Sequence, residues 1–155
     1  MLFPCAHRLS VMVALAWLSA SCGGDQRAIY VGNYATSTLA QTTSGGQTTN
    51  STFTGSLVVS EAADRTRIVL DDGQCPLTAV VSGNSFAVDI GVTCNTNGMS
   101  TTGATCNIAI TWTSGSGTRS PGAISIQLAG NQTFSCSDGS TGTGTVSESI
   151  TGTQE

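Results

Sequence analysis

The sequence predicts an all-β protein: eight or nine antiparallel strands in a meander that closes into a small barrel, with a two-sheet sandwich as the alternative. Three observations predict it. Ser, Thr and Gly dominate, with 20, 24 and 19 residues among 155, a composition that supplies turns and β-branched extended backbone but few helix formers. Apolar residues recur at every second position through most of the chain, the period of a strand with one buried face. No segment carries an apolar stripe at helical spacing. A sheet with one apolar face must cover it by closing on itself or by packing a second sheet. Closure also removes open edges, and a chain without Lys lacks the usual charged guards of an edge strand, which favours the barrel.

Residues 1–21 read as an export signal and stand outside the fold argument. His7 and Arg8 end a basic head, and residues 9–18 form an apolar run broken only by Ser10, too short for a permanent membrane span. The run leads into Leu18-Ser19-Ala20-Ser21-Cys22-Gly23-Gly24, which resembles the bacterial lipoprotein signal, in which small residues precede a cysteine that becomes lipidated and N-terminal. Ser19 holds the position three before the cysteine, where that pattern has an aliphatic residue. The alternative is an ordinary secretory signal cut near Ala20 or Ser21. The resemblance implies lipidation at Cys22 and attachment to the bilayer through several acyl chains, which stable anchoring requires. Gly23 stands where inner-membrane retention would place an aspartate, which favours the outer membrane. Residues 22–26 are then a short lipidated tether and residues 27–155 a single β domain.

Within the domain, residues 27–34 are expected to form the first strand, with Ile29 and Val31 on one face and Tyr30 and Tyr34 on the other. Residues 35–51 are a polar stretch, either a mobile loop or two strand arms joined at Gly45-Gly46. Phe53, Leu57 and Val59 then share a face with Gly55, and Ile68 and Leu70 align before Asp71-Asp72-Gly73 ends their strand. Leu77, Ala79 and Val81 lead to a turn at Ser82-Gly83-Asn84, after which Phe86, Val88, Ile90 and Val92 alternate with smaller residues; these two runs read as a hairpin. Residues 95–104 are expected to be a polar loop. Ile108, Ile110 and Trp112 form the next inward row, and residues 114–121 turn the chain. Ile124, Ile126 and Leu128 follow, then a break at Ala129-Gly130-Asn131 and a short strand around Phe134 and Cys136. After a turn over 137–142, residues 143–151 supply the last strand through Val146 and Ile150.

Cysteine parity fits this organisation. Cys5 leaves with the signal, and lipidation of Cys22 leaves Cys75, Cys94, Cys106 and Cys136, an even number in a chain bound for an oxidising compartment. Folding the hairpin about Gly83 brings Cys75 and Cys94 together at its open end. Cys106 shares the parity of Trp112 and Cys136 that of Phe134, so the expected disulfides are Cys75 to Cys94 and Cys106 to Cys136. No close Cys-x-x-Cys pair favours a zinc site, and no metal is expected.

The chemistry available to the exported chain is narrow. Its only His, His7, leaves with the signal and it has no Lys, so imidazole bases, amine nucleophiles and a Ser-His-Asp triad are excluded. Paired cysteines supply no thiolate. Asp71 and Asp72 are adjacent and point to opposite faces of a strand, unsuited to paired carboxylate catalysis; Asp71, Asp72 and Asp138-Gly139 lack the dense acidic loop of a calcium site. Acidic residues outnumber the four Arg that follow Cys22, a surface that repels nucleic acid. No catalytic residue and no cofactor are expected. Glu148 shares the parity of Val146 and Ile150, which aims it at the interior, where a buried charge needs a partner among Arg27, Arg65, Arg67 and Arg119; a bulge or an open sheet end would leave it solvated.

The lipobox-like Cys22, Gly32-Asn33-Tyr34 in the first strand, the Gly55-x-Leu57-x-Val59 strand and the serial hairpins together resemble small exported bacterial lipoproteins with lipocalin-like barrels. Gly32-Asn33-Tyr34 is similar to the glycine-x-tryptophan of true lipocalins, with Tyr34 in the aromatic position. Two functions are therefore expected. The first is a non-enzymatic envelope lipoprotein acting as a structural or protein-interaction module with a filled interior, meeting another envelope protein through the Thr-rich 35–51 segment or a sheet face. The second, which the resemblance implies, is binding of a small apolar or amphipathic molecule in the barrel, in a cavity of roughly 300 Å³ or more lined by Tyr34, Phe53, Phe86, Ile110, Trp112 and Glu148.

Overall fold

A computed structural model describes residues 25–100 and 102–155; the signal peptide, Cys22 and most of the tether lie outside the described residues. These residues form nine strands and no helix: β1 (Gly32–Ser44), β2 (Gln47–Glu61), β3 (Arg67–Asp71), β4 (Leu77–Ser82), β5 (Ser85–Val88), β6 (Thr93–Met99), β7 (Thr105–Ser120), β8 (Ala123–Cys136) and β9 (Thr141–Gln154). They lie in one antiparallel sheet, ordered β5-β4-β3-β2-β1-β9-β8-β7-β6, and a further pairing of β5 with β7 closes a ring of eight strands. The arrangement is barrel-like. The inward rows are those of the alternating pattern: Leu57 and Val59, Ile68 and Leu70, Leu77 and Ala79, and Ile124, Ile126 and Leu128 are all buried. Each buried Val, Leu or Ile side chain contributes about 1.5–3 kcal/mol, so the core supplies the drive for closure.

The polar 35–51 stretch is two strand arms rather than a loop. β1 and β2 pair continuously from Gly32↔Val59 to Ser44↔Gln47, and Gly45 and Gly46 make the turn with φ of +58° and +77°, the left-handed pair that a two-residue hairpin needs and that glycine adopts without strain. Threonine fills the arms because its branched Cβ suits extended backbone.

The first expected strand is corrected. Residues 26–30 are a turn and the strand begins at Gly32, because side-chain anchors hold the turn against one end of the ring. The Arg27 guanidinium donates to Asp25 and to the carbonyls of Ala62 and Asp64 at 2.7 and 3.2 Å, and pairs with Glu61 at 3.0 Å. The Tyr30 hydroxyl lies 2.9 and 3.0 Å from the carbonyl oxygens of Gly83 and Ser85, which share its proton, and Gln26 accepts from the Gly83 amide at 3.0 Å. Residues 25–31 thus plug that end of the ring.

β5 to β9 also depart from the expected pattern. The hairpin arm after Gly83 ends at Val88, and Ile90, expected inward, is 67% exposed. Residues 89–92 are an interruption, yet the ladder continues through it: the Gly91 amide donates to Trp112 and the Trp112 amide to Val92, at 2.8 and 3.0 Å. β5 and β6 are therefore two halves of one interrupted strand beside β7. The first half of the expected 95–104 loop belongs to β6, which pairs with β7 from Thr93↔Thr111 to Met99↔Thr105 because β5 ends too early to use that length of the β7 edge. β7 likewise runs through 114–120 instead of turning there. A bulge between Trp112 and Ser114 shifts its register and reverses its inward parity, so that Trp112 and Gly117 both face in. A Cβ at Gly117 would overlap the Phe86 ring; glycine is what admits that ring. Gly130 is no break either, since β8 is continuous and Gly130 lies against Trp112. The last strand extends from Thr141 to Gln154.

Cys75 bonds Cys94 and Cys106 bonds Cys136, with Cα separations of 5.6 and 3.9 Å. The first ties the β3–β4 loop to β6; the second joins directly paired residues of β7 and β8.

Candidate functional site

Strand lengths create the site. β3, β4 and β5 are short, with 5, 6 and 4 residues, whereas β1, β2, β7, β8 and β9 have 13 to 16. Opposite the plugged end, the interior therefore opens beside the β3–β4 loop into a cavity of about 360 Å³. Ile110 and Trp112 of β7, Ile126 and Leu128 of β8, and Leu57 of β2 form its apolar wall, and the Cys75–Cys94 disulfide lies at its margin. The Trp112 indole Nε1 donates to Cys94 Sγ at 3.3 Å, so the same sulfur that braces the margin also orients the ring. Thr36 and Thr38 of β1, Gln74 and Asp72 add polar groups.

Glu148 lies in this cavity, half-buried. β9 presents it inward between Val146 and Ile150, with Ala40 of β1 and Leu128 of β8 as its register partners. It makes no ion pair among the described residues; Arg27 pairs with Asp25 and Glu61, and Arg67 with Asp64 and Asp89. Those two expected partners are thus committed elsewhere. Burial pushes the Glu148 carboxyl up from its ordinary range, and the nearby Asp72 carboxylate pushes it further the same way. Asp72 is exposed at the rim, where its Oδ1 accepts from the amides of Gln74 and Cys75 at 2.9 Å each.

Four of the six expected lining residues meet here: Phe53, Ile110, Trp112 and Glu148. Phe53 stands at the mouth, 50% exposed. Tyr34 and Phe86 do not, and that expectation is corrected. Both are buried towards the plugged end, Tyr34 donating to the Tyr30 carbonyl at 2.8 Å and Phe86 packed edge-on against the Tyr30 ring with centroids 5.6 Å apart. Asp72, Thr36 and Thr38 went unrecognised as lining residues; the parity of the two threonines with Tyr34 is the signal that marks them. No group of three or more metal-ligating side chains occurs among the described residues.

This geometry defines an all-β, barrel-like domain with one plugged end and a small, largely apolar cavity near the other. No family model matches the chain, and no curated protein does. Among solved structures, the crystal structure of the ywiB protein from Bacillus subtilis matches with a TM-score of 0.41 at 10% identity, over 80% of this chain and 92% of that one.

Proposed function

We propose that the protein is a non-enzymatic, exported envelope lipoprotein that holds a small amphipathic molecule in the cavity beside the β3–β4 loop. The observation that carries this reading is the cavity: at about 360 Å³ it lies within the range of small-molecule sites, which are concave, mostly apolar and furnished with a few convergent polar groups. Trp112 and Ile110 supply the apolar wall, Glu148 and Thr38 the polar points. Export and attachment at Cys22 rest on the signal-like residues 1–24, and the absence of enzymatic activity rests on the missing Lys and His and the paired cysteines of the exported chain.

Native mass spectrometry of the membrane-extracted protein tests the binding reading. A bound small molecule that Trp112→Ala releases supports it; an empty protein that also fails to take up an amphipathic fluorescent probe overturns it. Intact mass tests the anchor, since an unmodified Cys22, or a chain that begins beyond it, refutes lipidation.

The interaction-module reading draws on a separate observation. The outer faces of β8 and β9, through residues such as Gln127, Asn131, Thr133, Thr143, Thr145 and Thr151, are exposed and carry no charged side chain, so contact with another envelope protein there carries no cost of burying a charge.

A further inference from the structure

We propose that the cavity selects an organic cation: an alkyl- or arylammonium whose head rests on the Glu148 carboxylate and whose apolar body lies along Ile110, Trp112 and Phe53. This rests on the cavity being a binding site and specifies what it takes. Charge complementarity carries the inference. The charged groups that line the cavity are Glu148 and Asp72, both acidic, and none of Arg27, Arg65, Arg67 and Arg119 does so. A half-buried carboxylate without a cation is costly, and none of the described residues supplies a countercharge. A fatty acid, the simplest amphipathic guest, would bring a third carboxylate to the same space.

The apolar wall suits the same class. Trp112 and Phe53 present aromatic surface to the same cavity as the acid, and an ammonium over an indole or phenyl face is attracted by the ring quadrupole. A metal ion is a poorer match, because Glu148 has no group of further ligating side chains about it. The environment of Glu148 is otherwise uncharged: Ala40 faces it from β1 and Leu128 from β8, and β2 and β7 contribute Phe53, Leu57, Ile110 and Trp112 to the same cavity. Among the described residues, Asp72 from the β3–β4 loop is the titratable group that opposes it. Protonation of Glu148 therefore competes directly with the cation.

Isothermal titration calorimetry on the full-length protein with both disulfides formed tests the proposal, using phenylbutylamine, phenylbutanol and phenylbutyrate at mildly alkaline pH. The amine is expected to bind at least about tenfold more tightly than the alcohol, the scale of one desolvated charge pair or cation–π contact, and the carboxylate most weakly. Glu148→Gln is expected to remove the preference for the amine over the alcohol. Acidification through the raised titration range of Glu148 is expected to weaken the amine alone. Equal binding of amine and alcohol, or tightest binding of the carboxylate, overturns cation selection and leaves the binding site standing. Binding of none of the three overturns both. If the Glu148 variant does not fold, the comparison of the three probes on the unaltered protein decides.

Discussion

Replacing Cys75 and Cys94 together with alanine removes the covalent tie between the β3–β4 loop and β6. The bridge closes a sequence separation of 19 residues, for which the chain-entropy relation gives about 3 kcal/mol of stabilisation. Its location adds to the effect. β5 closes the ring through three register pairs with β7, from Ser85↔Thr118 to Ala87↔Ser116, and the interruption at 89–92 separates that short pairing from β6. The bridge spans this seam, and without it the cavity margin is held by the ladder alone. In urea the unfolding midpoint is expected to fall by roughly 1.5 M, taking a slope near 2 kcal/mol/M, and the melting temperature by about 10 °C. The matching Cys106→Ala, Cys136→Ala pair, with a separation of 30 residues, is expected to lose about half a kcal/mol more. Denaturation followed by far-ultraviolet circular dichroism measures both. A midpoint unchanged by the Cys75, Cys94 replacement, with the native spectrum retained, refutes the role given to this bridge.

Gly117→Ala is expected to cost about 1–3 kcal/mol by overpacking, because its Cβ overlaps the Phe86 ring; thermal melting reads the loss, and adding Phe86→Leu is expected to recover part of it. Tyr30→Phe leaves the Gly83 and Ser85 carbonyls without its hydroxyl and is expected to cost about 1–2 kcal/mol, with faster hydrogen exchange in the β4–β5 turn. Asp25 is held down to about 2 from 3.8 by its hydrogen bonds from Arg27, and Asp89 is also lowered, by Arg67 and then Thr78. These acids stabilise the fold above the ordinary carboxylate range, and the contribution is lost as pH falls through their depressed values. Urea midpoints measured across acid pH are expected to decline, less steeply for Asp25→Asn. Glu148 has the opposite sign: its raised value gives stability at acid pH that is lost as pH rises through its titration. Glu148→Gln is therefore expected to stabilise the unliganded protein at neutral pH and not at low pH.

Alternating rows such as Ile68 with Leu70 and Ile124 with Ile126 and Leu128 were legible because parity alone decides which face is buried. The Cys75–Cys94 pairing was legible because the turn at Gly83 sets the register of its hairpin. The bulge after Trp112 was not, since the parity it reverses is carried onward by Gly115 and Gly117, which have no hydropathy to report; what they betray is the bulk of Val88 and Phe86 opposite. Apart from Cys94, β6 is polar from Thr93 to Asn97 and owes its existence to the free β7 edge, a tertiary fact. Ile29 and Val31 alternate as a strand would, but the anchoring of Arg27 and Tyr30 wins. In the site, parity found Glu148, Ile110 and Trp112 but misassigned Phe86 and Tyr34, because it says which way a side chain points and not how far along the ring it lies.

β2 pairs with β3 only over Val58–Glu61, so its long first portion has hydrogen-bonding partners on the β1 side alone; the outer side of β6 is likewise unpaired within the sheet. The ring thus has the outline of a tube sawn on the slant. The opening beside the β3–β4 loop is flanked by two rows of peptide groups that have no partner in the sheet, and an extended backbone laid along either row would add a tenth strand.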